Sequence, residues 1–123
     1  MAHYLIYFNR EWVGQRDEAW IRERAPLAQA VVDEMRAEGV YVFAGGLESE
    51  GTFRVDAGDG TPRFREGRQD DGGQWLGGFA VVRVDGEQAA REWAGRLAVA
   101  CGWPQEVRRF APEVGEGVPP PAP

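Results

Sequence analysis

A chain of 123 residues with a net charge of −6 is long enough for one hydrophobic core and too short for two, and it needs no disulfide or metal staple to fold. Its 14 basic residues are all arginine and form no basic run. That balance excludes the clustered positive charge on which non-specific nucleic-acid and anionic-membrane binding depend, and the absence of lysine excludes Schiff-base chemistry and a phosphate-loop lysine. One cysteine, Cys101, and one histidine, His3, leave neither an internal disulfide nor a zinc set. With no export signal and no apolar run near the ~20 residues of a membrane span, the sequence predicts a soluble, cytoplasmic protein without a membrane or nucleic-acid partner.

Residues 3–8, HYLIYF, predict a first strand, central because both of its faces are apolar. His3, Leu5 and Tyr7 share one face, and Tyr4, Ile6 and Phe8 the other. Residues 9–24 are charged, carry Trp12 and Trp20, and read as a loop with room for one helical turn. A helix is predicted from Pro26, with Leu27, Val31 and Met35 at four-residue spacing, until Gly39 stops it. VYVF at 40–43 is a second strand that leaves through a glycine turn. GTFRVD at 51–56 and residues 61–65 form a hairpin about the turn AGDG, and residues 75–84 form the most strand-like segment. A second amphipathic helix follows over 86–100, with Ala90, Trp93, Ala94 and Leu97 on one face, and EVRRF at 106–110 closes the fold. The tail from Pro112, with five prolines and two glycines, is expected to be disordered, so the domain is 1–111 and the tail 112–123.

Strand, helix, strand, hairpin, strand, helix, strand is a ferredoxin-like α+β plan with an extra hairpin after the second core strand. Two helices cover one face of such a sheet, so the other face calls for a partner, and a homodimer packed sheet to sheet is the economical solution.

At this level the sequence resembles the YCII-related family, in the branch named for a DGPF motif. The residues that carry the resemblance are YLIY at 4–7, DEMRAEGV with AGGL, TFRV with Arg54, LGGF at 76–79, AREWAGRL at 90–97, and EVR at 106–108. The resemblance implies a dimeric α+β barrel and a small pocket between sheet and helices. Two positions depart from the family pattern. EGRQ at 66–69 stands where DGPF is expected, keeping only the acid-glycine pair, and Ala28 stands where many relatives carry a histidine proposed as half of a catalytic His-Asp pair.

The candidate proton carriers are Glu66, Asp70 and Asp71, carboxylates beside an apolar strand, with a solvated acidic loop as the alternative. His3 is the only imidazole, and it shares a face with Tyr7, a pairing suited to proton transfer on a phenol or enol. Arg54 either bridges to a carboxylate or receives a ligand oxygen. Trp12, Trp20 and Trp75 lie beside loops and suit the walls of a pocket for a flat aromatic ligand. Cys101 is expected to be a packed thiol, and no metal or cofactor is expected. The sequence thus predicts a small cofactor-independent enzyme acting on a cyclic or aromatic metabolite by proton transfer, as an isomerase, lyase or cyclase. The alternatives are a non-catalytic small-molecule-binding or regulatory protein and a structural dimer.

Overall fold

The computed structural model describes residues 1–68 and 74–112. The tail from residue 113 and the loop holding Asp70 and Asp71 lie outside the described residues, so the structure does not address the expectations stated for them. Among the described residues six strands and two α-helices follow one another as β1 (Ala2–Asn9), α1 (Glu18–Ala37), β2 (Tyr41–Gly46), β3 (Phe53–Asp56), β4 (Arg63–Glu66), β5 (Leu76–Val84), α2 (Glu87–Cys101) and β6 (Glu106–Arg109), with a 3-10 turn at Arg10–Val13. The molecule is α+β. Its main sheet has the order β2-β5-β1-β6 with antiparallel pairing throughout, and β3 and β4 form a separate two-stranded sheet.

Alternation along β1 and β5 decides which face is buried. Tyr4 and Ile6 of β1 and Ala80, Val82 and Val84 of β5 are buried against Val31 and Met35 of α1 and Ala90, Trp93, Ala94 and Leu97 of α2. The opposite face carries Leu5, Tyr7, Phe79 and Val81, all half-buried, and Phe43, which is 56% exposed. Phe43 and Phe79 contact each other there, with ring centroids 6.1 Å apart. Both helices therefore lie on one side, and among the described residues no helix covers the other side, the open face of the sheet.

Helix α1 begins eight residues before Pro26, correcting the predicted start. Asp17 is its N-cap, accepting a 2.8 Å hydrogen bond from the Trp20 backbone N–H, and Glu18 adds negative charge to the first turn. Pro26 sits inside the helix on its exposed side, where water serves the carbonyl that loses its donor. At the other end Gly39 takes φ +75°, and the Val40 and Gly39 N–H groups close back on the Met35 and Arg36 carbonyls, a Schellman turn. The predicted Leu27-Val31-Met35 stripe is only partly buried: Val31 and Met35 are in the core and Leu27 is exposed. Arg96 of α2 ties the helices together through Glu34 at 3.0 Å and Glu38 at 3.7 Å.

The hairpin β3–β4 is amphipathic by register. Phe53 pairs with Glu66 and Val55 with Phe64, so these four share one face, while Arg54, Arg65, Asp56 and Arg63 share the other. All of its strand residues are exposed.

Candidate functional site

The sheet and α1 do not close completely, because the side chains facing each other over part of their contact are small. Ala25 and Ala28 of α1 look toward Ala44, Gly45 and Gly46 of β2 and Ala80 of β5. Where α1 carries Val31 and Met35 the core is filled; a turn earlier it carries alanine, and a cleft of about 330 Å³ remains. Ile21 and Val32 extend its helical wall, and Ile6 and Phe8 contribute to its sheet side. Phe8 is held in place by glycine, since a β-carbon at Gly77 would stand 2.5 Å from its ring and one at Gly78 would stand 3.0 Å away.

Aromatic rings close one end. Trp103 lies 5.0 Å from Phe8 and 6.2 Å from Trp20, centroid to centroid. Trp20 in turn carries the guanidinium groups of Arg24 at 4.9 Å and Arg16 at 4.5 Å from its ring centroid. Gly102, in the left-handed conformation at φ +86°, permits this approach, because a β-carbon there would meet the Trp20 ring at 2.6 Å. The polar groups of the lining are Arg24, Gln29, Arg36 and Gln105, together with the Cys101 thiol. Burial pushes that thiol's pKa up, opposed by the nearby positive charge of Arg24, so Cys101 is held as the neutral thiol rather than the nucleophilic thiolate. Among the described residues that line the cleft there is no carboxylate and no imidazole.

Of the candidates singled out from sequence that lie among the described residues, Cys101 is in this lining and His3, Tyr7, Trp12, Trp20, Arg54, Glu66 and Trp75 are not. Trp20 backs its aromatic end from behind Trp103. Trp12 is on the open side of the sheet, its ring 6.2 Å from that of Tyr7. Trp75 lies beneath Arg68, 4.5 Å from its centroid, and its backbone bonds Arg10 and Glu11. The three tryptophans thus wall no common pocket: the 3-10 turn carries Trp12 over the open face while α1 carries Trp20 over the opposite one. Glu11 accepts from Trp75 N–H and from Arg68, and its pKa is lowered, first by its own backbone N–H; desolvation opposes this, and the Trp75 and Arg68 donors lower it further.

His3 and Tyr7 share the open face as the alternation requires, with His3 opposite Arg83. The Tyr7 hydroxyl donates a 2.6 Å hydrogen bond to Glu106 Oε1 on β6. That bond raises the Tyr7 pKa, burial adds to it, and Arg108 opposes it. A phenol with a folded pKa above its unfolded one contributes stability that is complete below pH about 10 and is lost as pH rises through the folded pKa. Replacing Glu106 by Gln is expected to bring the Tyr7 ionisation back down, read by ultraviolet absorbance titration against Tyr7→Phe; an unchanged curve would refute the coupling.

Glu66 is exposed on the apolar side of the hairpin beside Phe53, and Arg54 pairs with Asp56 of its own strand at 3.4 Å. Both members of that pair are more than half exposed, so the cost of a buried guanidinium does not arise. Sequence reading missed the lining of the cleft. Its signal is the stripe Ile21, Ala25, Ala28 and Val32, which recurs at helical spacing once the helix is started at Glu18. Among the described residues no helix is long and apolar enough to cross a membrane, and no three metal-ligating side chains come together. Compared with protein-family models and with curated proteins, the chain matches none.

Proposed function

We propose that this chain binds a flat, largely apolar small molecule in the cleft between its sheet and α1, as a non-catalytic binding or regulatory protein. One observation carries this reading: facing small residues leave a cleft of about 330 Å³ whose described lining holds apolar groups, amides, two arginines and a neutral thiol, but no general acid or base. Ala28 lies in that lining, at the position where the resemblance to the YCII-related family places a histidine. A ligand pocket retained with its proton carrier replaced by a methyl group fits binding better than turnover. Ala28→Trp is expected to fill the cleft and abolish binding of naphthamide, measured by calorimetry, with the far-ultraviolet spectrum unchanged. Equal binding by variant and parent would place the ligand elsewhere and sink the proposal.

The open face supports a second element of the reading, a homodimer. Two copies of the ferredoxin-like sheet packed open face to open face make the dimeric α+β barrel that the resemblance implies, and would cover Phe43, Phe79, Leu5 and Val81. Such packing would also enclose His3, Tyr7 and Glu106, and it is the arrangement in which proton transfer on a cyclic metabolite becomes the competing function. Sedimentation at micromolar concentration is expected to give a dimer for the parent and a monomer for Phe43→Asp; a monomeric parent would refute the dimer.

A further inference from the structure

Resting on the binding reading above, we infer that the ligand of the cleft is an aromatic acid, its ring against the alanine and glycine walls and its carboxylate received by Arg24 at the aromatic end. The charge around Trp20 carries this inference. Arg24 is half-buried and lines the cleft, with its guanidinium carbon 4.9 Å from the Trp20 ring centroid. A contact with a ring face uses none of the guanidinium N–H groups as hydrogen-bond donors to oxygen, so they remain able to meet an acceptor. Among the described residues no carboxylate lies within ion-pair distance of Arg24, and the same holds for Arg16 on the same tryptophan. Of the carboxylates nearest in sequence, Asp17 caps α1 through the Trp20 N–H, Glu18 pairs with Arg22, and Glu23 forms no ion pair with Arg24. Arg36, the other arginine of the lining, stacks over Tyr41 and pairs with Asp33 at 3.5 Å. Two guanidinium groups gathered on one ring, with no counter-ion among the described residues, make this end of the cleft locally cationic in a chain of net charge −6.

A carboxylate matches the guanidinium fork in charge and in geometry, which a neutral ring does not.

The test compares naphthoate with naphthamide, which share a ring system and differ in charge, by calorimetry on the full chain. Naphthoate is expected to bind about tenfold more tightly to the parent, the scale of one charge-assisted hydrogen bond. Arg24→Gln is expected to remove that preference, with an unchanged far-ultraviolet circular dichroism spectrum showing that the variant is folded. Arg24→Lys, keeping the charge without the fork, is expected to retain part of the preference. Equal affinities in the parent, both lost in Ala28→Trp, would overturn the anionic ligand and leave the cleft standing as a binding site. A preference that survives Arg24→Gln overturns the assignment to Arg24, and failure of both compounds to bind overturns the binding reading and this inference together.

Discussion

Trp93→Ala is expected to remove about 3–5 kcal/mol of stability, the cost of deleting a buried indole and leaving its cavity partly open. Trp93 is only 5% exposed, and it belongs to the core cluster that joins α2 to the sheet and to α1. Its outer edge is covered by the Arg96 guanidinium, 4.4 Å from the ring centroid, and that same arginine reaches Glu34 of α1. Loss of the ring therefore withdraws packing from the core and support from the bridge between the helices. Domains of this size have a total stability of about 5–15 kcal/mol, so one substitution takes about a fifth or more of it. Urea denaturation followed by circular dichroism is expected to show a much lower midpoint with an unchanged slope. Val99→Ala, on the same helix at 79% exposure, is expected to change stability by less than about 0.5 kcal/mol. Similar losses in the two variants would contradict the burial assigned to α2.

Gly102→Ala is expected to cost about 2–5 kcal/mol, through two effects that can be separated. The first is conformational: φ +86° lies in the left-handed region, where a β-carbon costs about 1–2 kcal/mol. The second is steric, because that β-carbon would stand 2.6 Å from the Trp20 ring, and overpacking costs about 1–3 kcal/mol. Gly39→Ala isolates the first effect, since Gly39 has φ +75° and a β-carbon there would meet nothing within 4 Å. The difference between the two variants measures how tightly Trp20 is held against the end of α2. Trp20→Leu in the Gly102→Ala background is expected to recover part of that difference as a coupling energy. Equal losses at Gly39 and Gly102 would mean that Trp20 yields freely, and the aromatic end of the cleft would then be soft.

Much of this architecture could be read from residue order, because each element carries its own period. Alternation in HYLIYF placed Tyr4 and Ile6 on one face, and the structure buries both, together with Val82 and Val84 of the run read as the most strand-like segment. The three- and four-residue spacing of Ala90, Trp93, Ala94 and Leu97 marked the inner side of α2, which is where they lie. Local pattern was misleading where two signals competed. Pro26 is a strong helix-start residue, and it outweighed Asp17 and Glu18, whose capping pattern is the signal that fixes the start of α1. Starting the helix at Pro26 removed Ile21 and Ala25 from its face and hid the stripe that lines the cleft. A cleft of this kind is written in residues that are too small, so it has no positive signature in composition. Charged and aromatic residues drew the reading instead, and the fold carries Trp12 to the open face of the sheet and Glu66 and Arg54 to opposite faces of the hairpin, none of them in the lining of the cleft.

The order of the main sheet bears on how the chain acquires its shape. Strand β1 is made first, yet its two neighbours, β5 and β6, come from the far half of the chain, with Ile6 aligned to Ala80 on one side and to Val107 on the other. During synthesis β1 therefore waits with both edges unsatisfied, and an apolar strand in that condition is a template for pairing with the wrong chain. Each of its ladders closes a long loop, which slows folding relative to a chain of local contacts. Helix α1 follows β1 directly and can cover Tyr4 and Ile6 with Val31 and Met35 before any ladder exists. In the growing polypeptide the long, firmly capped α1 thus has the role of an early shield for the strand on which the whole sheet is later assembled.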